Sequence, residues 1–391
     1  MRRQHSAKFR LCEGSTMGPP REQLARELAT IVGERFVLWD DYDLMLYEYD
    51  ASVERGTPDA VVLPASAQEV ASVVKLCNRL GVPFIPRGAG TGLSGGAVAI
   101  EGGVMIALSR MNRILEIDAD SLRATVEPGV VNLHLSQAVA HHGLQFVPDP
   151  SSQKACTIGG NVGENSGGPH TLLYGVTVNH VTGLELVTTD GEIATIGGKA
   201  ADSPGYDLVG LLIGSEGTMG VVTAITVRLC PLTEDVRTIL AVFDALDDAS
   251  EACSGIIAAG IVPAALEMMD RLALQAIEAS VHAGYPTDAE AVLLIEIDGL
   301  RDGLDEIAGA IETVCRQHGA REVRLAKSGA ERNKLWAGRK GAFGAMGRIS
   351  PDFYVMDGVV PRSRIPDVLR RIGRIGDELG LRIANVFHAG D

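Results

Sequence analysis

At 391 residues, with 46% hydrophobic and 22% charged side chains, the chain is too long for one ordinary core and reads as a globular protein of two domains. A formal net charge of −15 argues against nucleic acid and anionic membrane surfaces as main partners, yet leaves room for an anion held by backbone amides and a few arginines. The six cysteines are scattered without a Cys-x-x-Cys pair and no apolar run reaches membrane-span length, which argues against an iron–sulfur cluster within the chain and for a reducing, cytoplasmic compartment.

The opening, MRRQHSAKFRLCEGSTM, is basic but lacks a signal-peptide apolar region. Met17 offers a more ordinary beginning, so the first sixteen residues read as a misassigned start or a disordered tail. Leu24, Leu28 and Ile31 fall at helix spacing within residues 20–33. Residues 60–63 then form a short apolar strand. Ser66, with Glu69 three residues on, is a capping box for a helix carrying Val70, Val73, Val74 and Leu76, and Gly81 ends it. A second strand at 82–86 runs straight into a glycine-rich loop. Strands are expected at 104–108, 114–117 and 124–126, a helix at 131–142, a long glycine-rich stretch to about 170, and strands at 181–188, 193–195 and 220–229.

Near residues 231–235 glycine thins out and helix–strand alternation begins. Strands are expected at 238–243, 264–268, 291–297 and 323–325, with helices at 247–259, 271–283 and 302–318 between them. The chain therefore divides into a tail and helix (1–39), a glycine-loaded α+β domain (40–232) and a second α+β domain (233–391).

Three glycine-rich segments carry the chemical signal. The first is Pro86-Arg87-Gly88-Ala89-Gly90-Thr91-Gly92-Leu93-Ser94-Gly95-Gly96. Gly90-x-Gly92-x-x-Gly95 matches a dinucleotide fingerprint, but that motif must open a helix, and Ala97 to Gly103 lead into a strand instead. Consecutive amides wrapping a pyrophosphate fit better, and a nicotinamide dehydrogenase is disfavoured. The second runs from Pro148-Asp149-Pro150-Ser151-Ser152 through Thr157-Ile158-Gly159-Gly160-Asn161-Val162-Gly163-Glu164-Asn165-Ser166, and suits a backbone-lined slot for a large planar polar ligand. The third is Gly214-Ser215-Glu216-Gly217-Thr218-Met219-Gly220-Val221-Val222. Any one alone is a tight turn; the three in this order are not.

Together these motifs resemble the FAD-binding domain of the vanillyl-alcohol-oxidase family (the p-cresol-methylhydroxylase type), and within it the group of the glycolate oxidase flavin subunit and the D-lactate and D-2-hydroxyglutarate dehydrogenases. The resemblance runs from about residue 40 to 391. It implies an α+β fold: a two-subdomain FAD-binding domain followed by a ferredoxin-like cap domain that stops short at its C-terminus. It further implies that main-chain amides of Arg87, Gly88, Ala89, Gly90, Thr91, Gly92 and Ser94 hold the FAD pyrophosphate. Pro148, Asp149, Thr157, Gly159, Gly160, Gly163, Asn165 and Ser166 would line the flavin and ribityl chain, and Glu216, Gly217, Gly220 and Val222 the adenosine end. Many relatives attach flavin through a histidine in the first loop; Thr91 stands at that place, implying dissociable FAD.

The family's chemistry, oxidation of a 2-hydroxy acid, needs a carboxylate clamp, a proton acceptor and hydride delivery to flavin N5. An arginine clamps best, through charge-assisted bonds of about 1.5–3 kcal/mol each. The resemblance places Arg339 there, with Lys340 and Arg348 as fallbacks. Phe343 and Val355 stand where the D-2-hydroxyglutarate branch carries a Thr and a Lys, favouring a shorter acid such as glycolate or lactate. Phe387-His388-Ala389-Gly390-Asp391 resembles the start of His-x-Gly-Asp-Gly-Asn-x-His, whose first histidine is a metal ligand or active-site histidine. His388 is thus half a site, and a divalent metal such as Zn, Mn or Fe is implied for the full-length protein. The chain is expected to be a fragment, or a truncated and impaired product; a non-catalytic flavin-binding subunit and an alditol oxidase on the same scaffold are the alternatives. Electrons would leave to an iron–sulfur partner subunit or a quinone, with peripheral attachment to the inner membrane face through that partner. A homodimer is compatible with these features.

Overall fold

The computed structural model describes residues 19–200 and 205–390. The readings of Met17 and Asp391 lie outside these residues.

The first layer is a four-stranded sheet ordered Val37–Leu38, Ala60–Val62, Val104–Ala107, Phe84–Arg87, parallel except for its first strand. Ala60–Val62 and Val104–Ala107 are buried on both faces, as parallel strands under helices must be. Helices Arg21–Val32 and Ala67–Leu80 seal one face through Leu24, Leu28, Val70, Val73 and Val74. Ser66 caps the second helix, its Oγ accepting from the Glu69 amide at 3.2 Å, and Gly81 ends it at φ 65°. The strand Phe84–Arg87 delivers the first glycine loop from its carboxyl end.

The second layer is an antiparallel sheet ordered Ile114–Asp118, Arg123–Val126, Gly220–Arg228, Val181–Thr188, Ile193–Gly197. Helix Asn132–Val139 lies on it, as does Ile158–Glu164, a helix inside the second glycine segment, where the sequence suggested loop. Thr157 makes that helix possible: its side chain accepts from the Gly160 amide at 3.2 Å.

The third layer is antiparallel, ordered Glu322–Leu325, Asp235–Phe243, Ala291–Gly299, Ala265–Asp270, Val386–His388. Strict alternation divides its faces. Ile239, Ala241, Phe243, Leu266, Met268, Leu293 and Ile295 meet helices Leu246–Ala258, Leu304–Gln317 and Ile365–Leu379. Leu240, Val242, Ala265, Met269, Val292 and Leu294 meet helices Arg271–Val281, Gly329–Lys340 and Ala342–Ala345. That second face also carries Thr238, Glu267 and Glu296, because Thr238 and Ala265 are both in register with Glu296, and Glu267 with Leu294.

Candidate functional site

The three glycine segments converge. The amides of Gly214 and Glu216 donate to the carbonyls of Val162 and Gly163 at 2.8 and 2.9 Å, tying the third segment to the second. Gly217, at φ 76°, lies so close to Pro86 that a Cβ there would be 2.6 Å from the proline Cγ, which ties the third to the first. Gly88 abuts Thr157 and Gly160.

Their backbones are used differently. Among the described hydrogen bonds, none of the amides from Ala89 to Gly96 donates to a protein acceptor. A run of unspent amides is what an anionic group requires of a loop. In the third segment, by contrast, Gly214, Ser215, Glu216, Thr218 and Gly220 all donate within the protein, so this turn chiefly buttresses the other two. The Arg87 guanidinium is buried and committed to the fold, donating to the carbonyls of Ala97 at 2.9 Å and Tyr49 at 2.7 Å. It holds both ends of the loop in place, leaving the amides to face a ligand. Glu164 and Glu216 flank the loop; burial, then the Glu216 charge, raises the Glu164 pKa, and Ser94 Oγ lies 3.4 Å from its carboxylate.

A second constellation lies on the polar face of the third sheet. Ser328 caps helix Gly329–Lys340, its Oγ accepting from the Glu331 amide at 3.2 Å. Arg332, Trp336 and Lys340 recur every four residues on that helix, with Arg339 beside them, so they share one side. Arg332 donates to Glu296 at 3.0 and 2.8 Å, and the Trp336 indole N–H donates to the same carboxylate, as does Thr238 at 2.7 Å. Arg339, 6% exposed, puts Nη2 2.5 Å from Glu267 Oε2. That contact lies off the hydrogen-bond axis: Glu267 Oε2 and Arg339 Nε are buried without a hydrogen-bond partner. His388 faces Glu267 across the strand pair, Nδ1 2.8 Å from Oε1. Arg339 and His388 thus meet on one buried carboxylate. Lys340 turns the other way, Nζ 2.9 Å from Asp149 Oδ2, while Arg348 is exposed.

Asp149 connects the two constellations. It is buried and also receives His170 Nδ1 at 2.9 Å, while His170 Nε2 is 3.2 Å from Glu296 Oε1. Burial alone would raise the Asp149 pKa, but His170 and then Lys340 hold it below the usual carboxylate range. Burial would likewise raise that of Glu296, and His170 and Arg332 drive it well below that range. Burial would lower the His170 pKa, yet Asp149 and Glu296 outweigh it and raise the value to about 10. Tyr174 adds a further link, donating to Asp298 at 2.7 Å. Beside the first glycine loop a cleft of about 460 Å³ opens. Leu93 and Ser94 line it together with Phe343 and Val355, and Phe343 packs edge-to-face on Phe353 at 5.4 Å.

Seven residues of this constellation were not anticipated: His170, Tyr174, Thr238, Glu267, Glu296, Arg332 and Trp336. Two had a signal. Glu267 and Glu296 are lone charges inside apolar strand runs, positions that are almost never fully buried unless paired. Among the described residues, no group of three or more His, Cys, Asp or Glu is placed to hold a metal. No helix among them is long and apolar enough to cross a membrane.

An amide-lined loop backed by two glycine segments, joined to a sheet whose polar face meets a helix bearing arginine, is the frame of a flavoprotein oxidoreductase, and the chain belongs to the FAD-linked oxidases. The FAD binding domain family matches residues 58–197, and the family of FAD linked oxidases, C-terminal domain, matches residues 232–391. The chain is 51% identical over 356 residues to the glycolate oxidase subunit GlcD of Escherichia coli (strain K12), covering 91% of this chain and 71% of that one. It is 43% identical to GlcD of Bacillus subtilis (strain 168), with 89% and 74% covered, and 34% identical to a D-lactate dehydrogenase of Archaeoglobus fulgidus, with 88% and 77% covered. An alkyldihydroxyacetonephosphate synthase, at 19% identity and a TM-score of 0.77 over 94% of this chain and 77% of that one, shares the fold. So does a 4-ethylphenol oxidase from Gulosibacter chungangensis, at 19% identity and 0.75 over 94% and 80%. The expected α+β architecture and FAD as cofactor are both borne out.

Proposed function

We propose that this protein oxidises a short 2-hydroxy acid of the glycolate or D-lactate type to the 2-oxo acid, and that the residues described above carry the reaction. Bound FAD supplies a hydride acceptor at N5. The unspent amides from Ala89 to Gly96 suit its pyrophosphate, and the segment from Pro148 to Ser166 lines the path beyond. Thr91 in the first loop supports noncovalent attachment.

The observation that carries the substrate reading is Arg339. A buried guanidinium with an unpartnered Nε has donor capacity left for a ligand carboxylate, and Glu267 holds it in place. His388 stands on the same glutamate and takes the hydroxyl proton, with Glu267 orienting its ring and stabilising the imidazolium. His388 is also a candidate metal ligand. Phe343 and Val355, where the D-2-hydroxyglutarate branch carries a Thr and a Lys, line the neighbouring cleft, which supports an acid without a second carboxylate. The name of the Escherichia coli relative, a subunit, supports transfer of electrons to a partner, either an iron–sulfur protein or a quinone-linked one. A cytoplasmic protein attached at the membrane face through that partner fits the same reading.

Purified protein reconstituted with FAD and mixed anaerobically with glycolate or D-lactate should lose its yellow flavin band, and Arg339→Ala should slow that bleaching at least a hundredfold. Stoichiometric FAD that no short hydroxy acid bleaches would overturn the proposal and mark a flavin-binding subunit.

A further inference from the structure

His170 belongs to the glycine-rich segment yet takes no part in the glycine cradle. Its ring lies between two buried carboxylates from opposite halves of the chain, Asp149 Oδ2 at 2.9 Å and Glu296 Oε1 at 3.2 Å. Ionised carboxylates only accept hydrogen bonds, so both ring nitrogens must donate, which makes the ring an imidazolium. Lys340 reaches the same Asp149 oxygen, while Arg332 and Trp336 reach Glu296. The ring also lies 5.5 Å from the Trp336 indole.

These contacts have a common geometry. Lys340, Trp336 and Arg332 lie along one side of helix Gly329–Lys340, and Arg339 stands on the same helix. Asp149 is in the Pro148–Ser152 segment expected to line the flavin. His170 therefore ties the flavin-lining wall to the helix that carries the arginine clamp, and it does so between two charges that cannot be left buried and unpaired.

We propose that His170 is a positioning residue that fixes the helix bearing Arg339 against the Pro148–Ser152 wall. The role assigned to Arg339 rests on the 2-hydroxy-acid reading; the tie between the two halves does not.

The test uses the full chain reconstituted with FAD, in a Trp39→Phe background so that Trp336 is the sole indole emitter. A protonated imidazole quenches a neighbouring indole, so His170→Ala should raise Trp336 emission and alter the visible circular dichroism of the bound flavin. FAD content should remain stoichiometric, because the amide loop is untouched. With glycolate or D-lactate, KM should rise at least tenfold, and free imidazole should restore at least a third of the lost kcat/KM. His170→Gln, which keeps one hydrogen bond without the charge, should fall between. It also serves if the alanine variant does not fold. Wild-type KM and flavin dichroism in both variants would overturn the proposal. If the wild type is reduced by no hydroxy acid, the functional reading fails. The flavin dichroism then decides the joint: a change in His170→Ala upholds it, and an unchanged spectrum overturns it.

Discussion

Glu296 is the residue on which most of the buried polar network depends. It lies 1% exposed in a strand whose same-face residues are Val292, Leu294 and Asp298, and it accepts from Thr238, His170, Arg332 and Trp336. Removing one partner of such a cluster leaves the others charged and unpaired. Glu296→Ala should therefore cost about 3–5 kcal/mol in denaturant unfolding, and Glu296→Gln visibly less. His170 gives the network a pH signature. Its folded pKa is raised from 6.5 to about 10. The protonated ring thus favours the folded state, with its contribution fully present below pH 6.5 and lost as pH rises through about 10. Urea titrations across that window should show falling stability in the wild type and a flatter profile in His170→Gln. An identical slope in both would assign the loss to other groups.

At the scale of elements, the turn from Gly214 to Gly220 illustrates how backbone conformation sets a binding loop at a distance. Glu216 and Gly217 are consecutive left-handed residues at φ 51° and 76°. The first costs strain that only surrounding contacts can hold. At the second, an added methyl meets Pro86 at 2.6 Å, at the base of the amide loop. Gly217→Ala should destabilise the protein by about 1–3 kcal/mol, and it should weaken FAD binding several-fold, read by fluorescence recovery of released flavin. Tight FAD in that variant would show that the turn and the amide loop are independent. Such a turn was recognisable as Gly-Ser-Glu-Gly-Thr, but its target was not, because Pro86 is distant in the chain. Helix Ile158–Glu164 shows the opposite difficulty. Three glycines and an asparagine have low helix propensity, and the helix forms because Thr157 caps it and Ile158 and Val162 bury against the second sheet.

For the molecule as a whole, the glycine cradle and the third sheet are separate cores joined through Asp149, His170, Lys340 and Tyr174. FAD at a hundredfold excess over its Kd should add about 2.7 kcal/mol of stability. A melting temperature unmoved by saturating FAD would contradict binding to the folded state. Composition, glycine spacing and hydrophobic period by themselves determined the α+β class and the order of elements, because each is written in local backbone preference and alternation, while the flavin family followed from the resemblance of the three glycine motifs. Arg339 and His388 were nameable in advance as well. Only the tertiary structure decided that both stand on Glu267, that Arg87 serves the loop rather than the ligand, and that His170 bridges the two halves. Those facts depend on strand register and helix placement, which bring a buried charge to a partner as far as 126 residues away, so that the sequence can mark Glu267 and Glu296 as lone charges in apolar strands but cannot name what pairs with them.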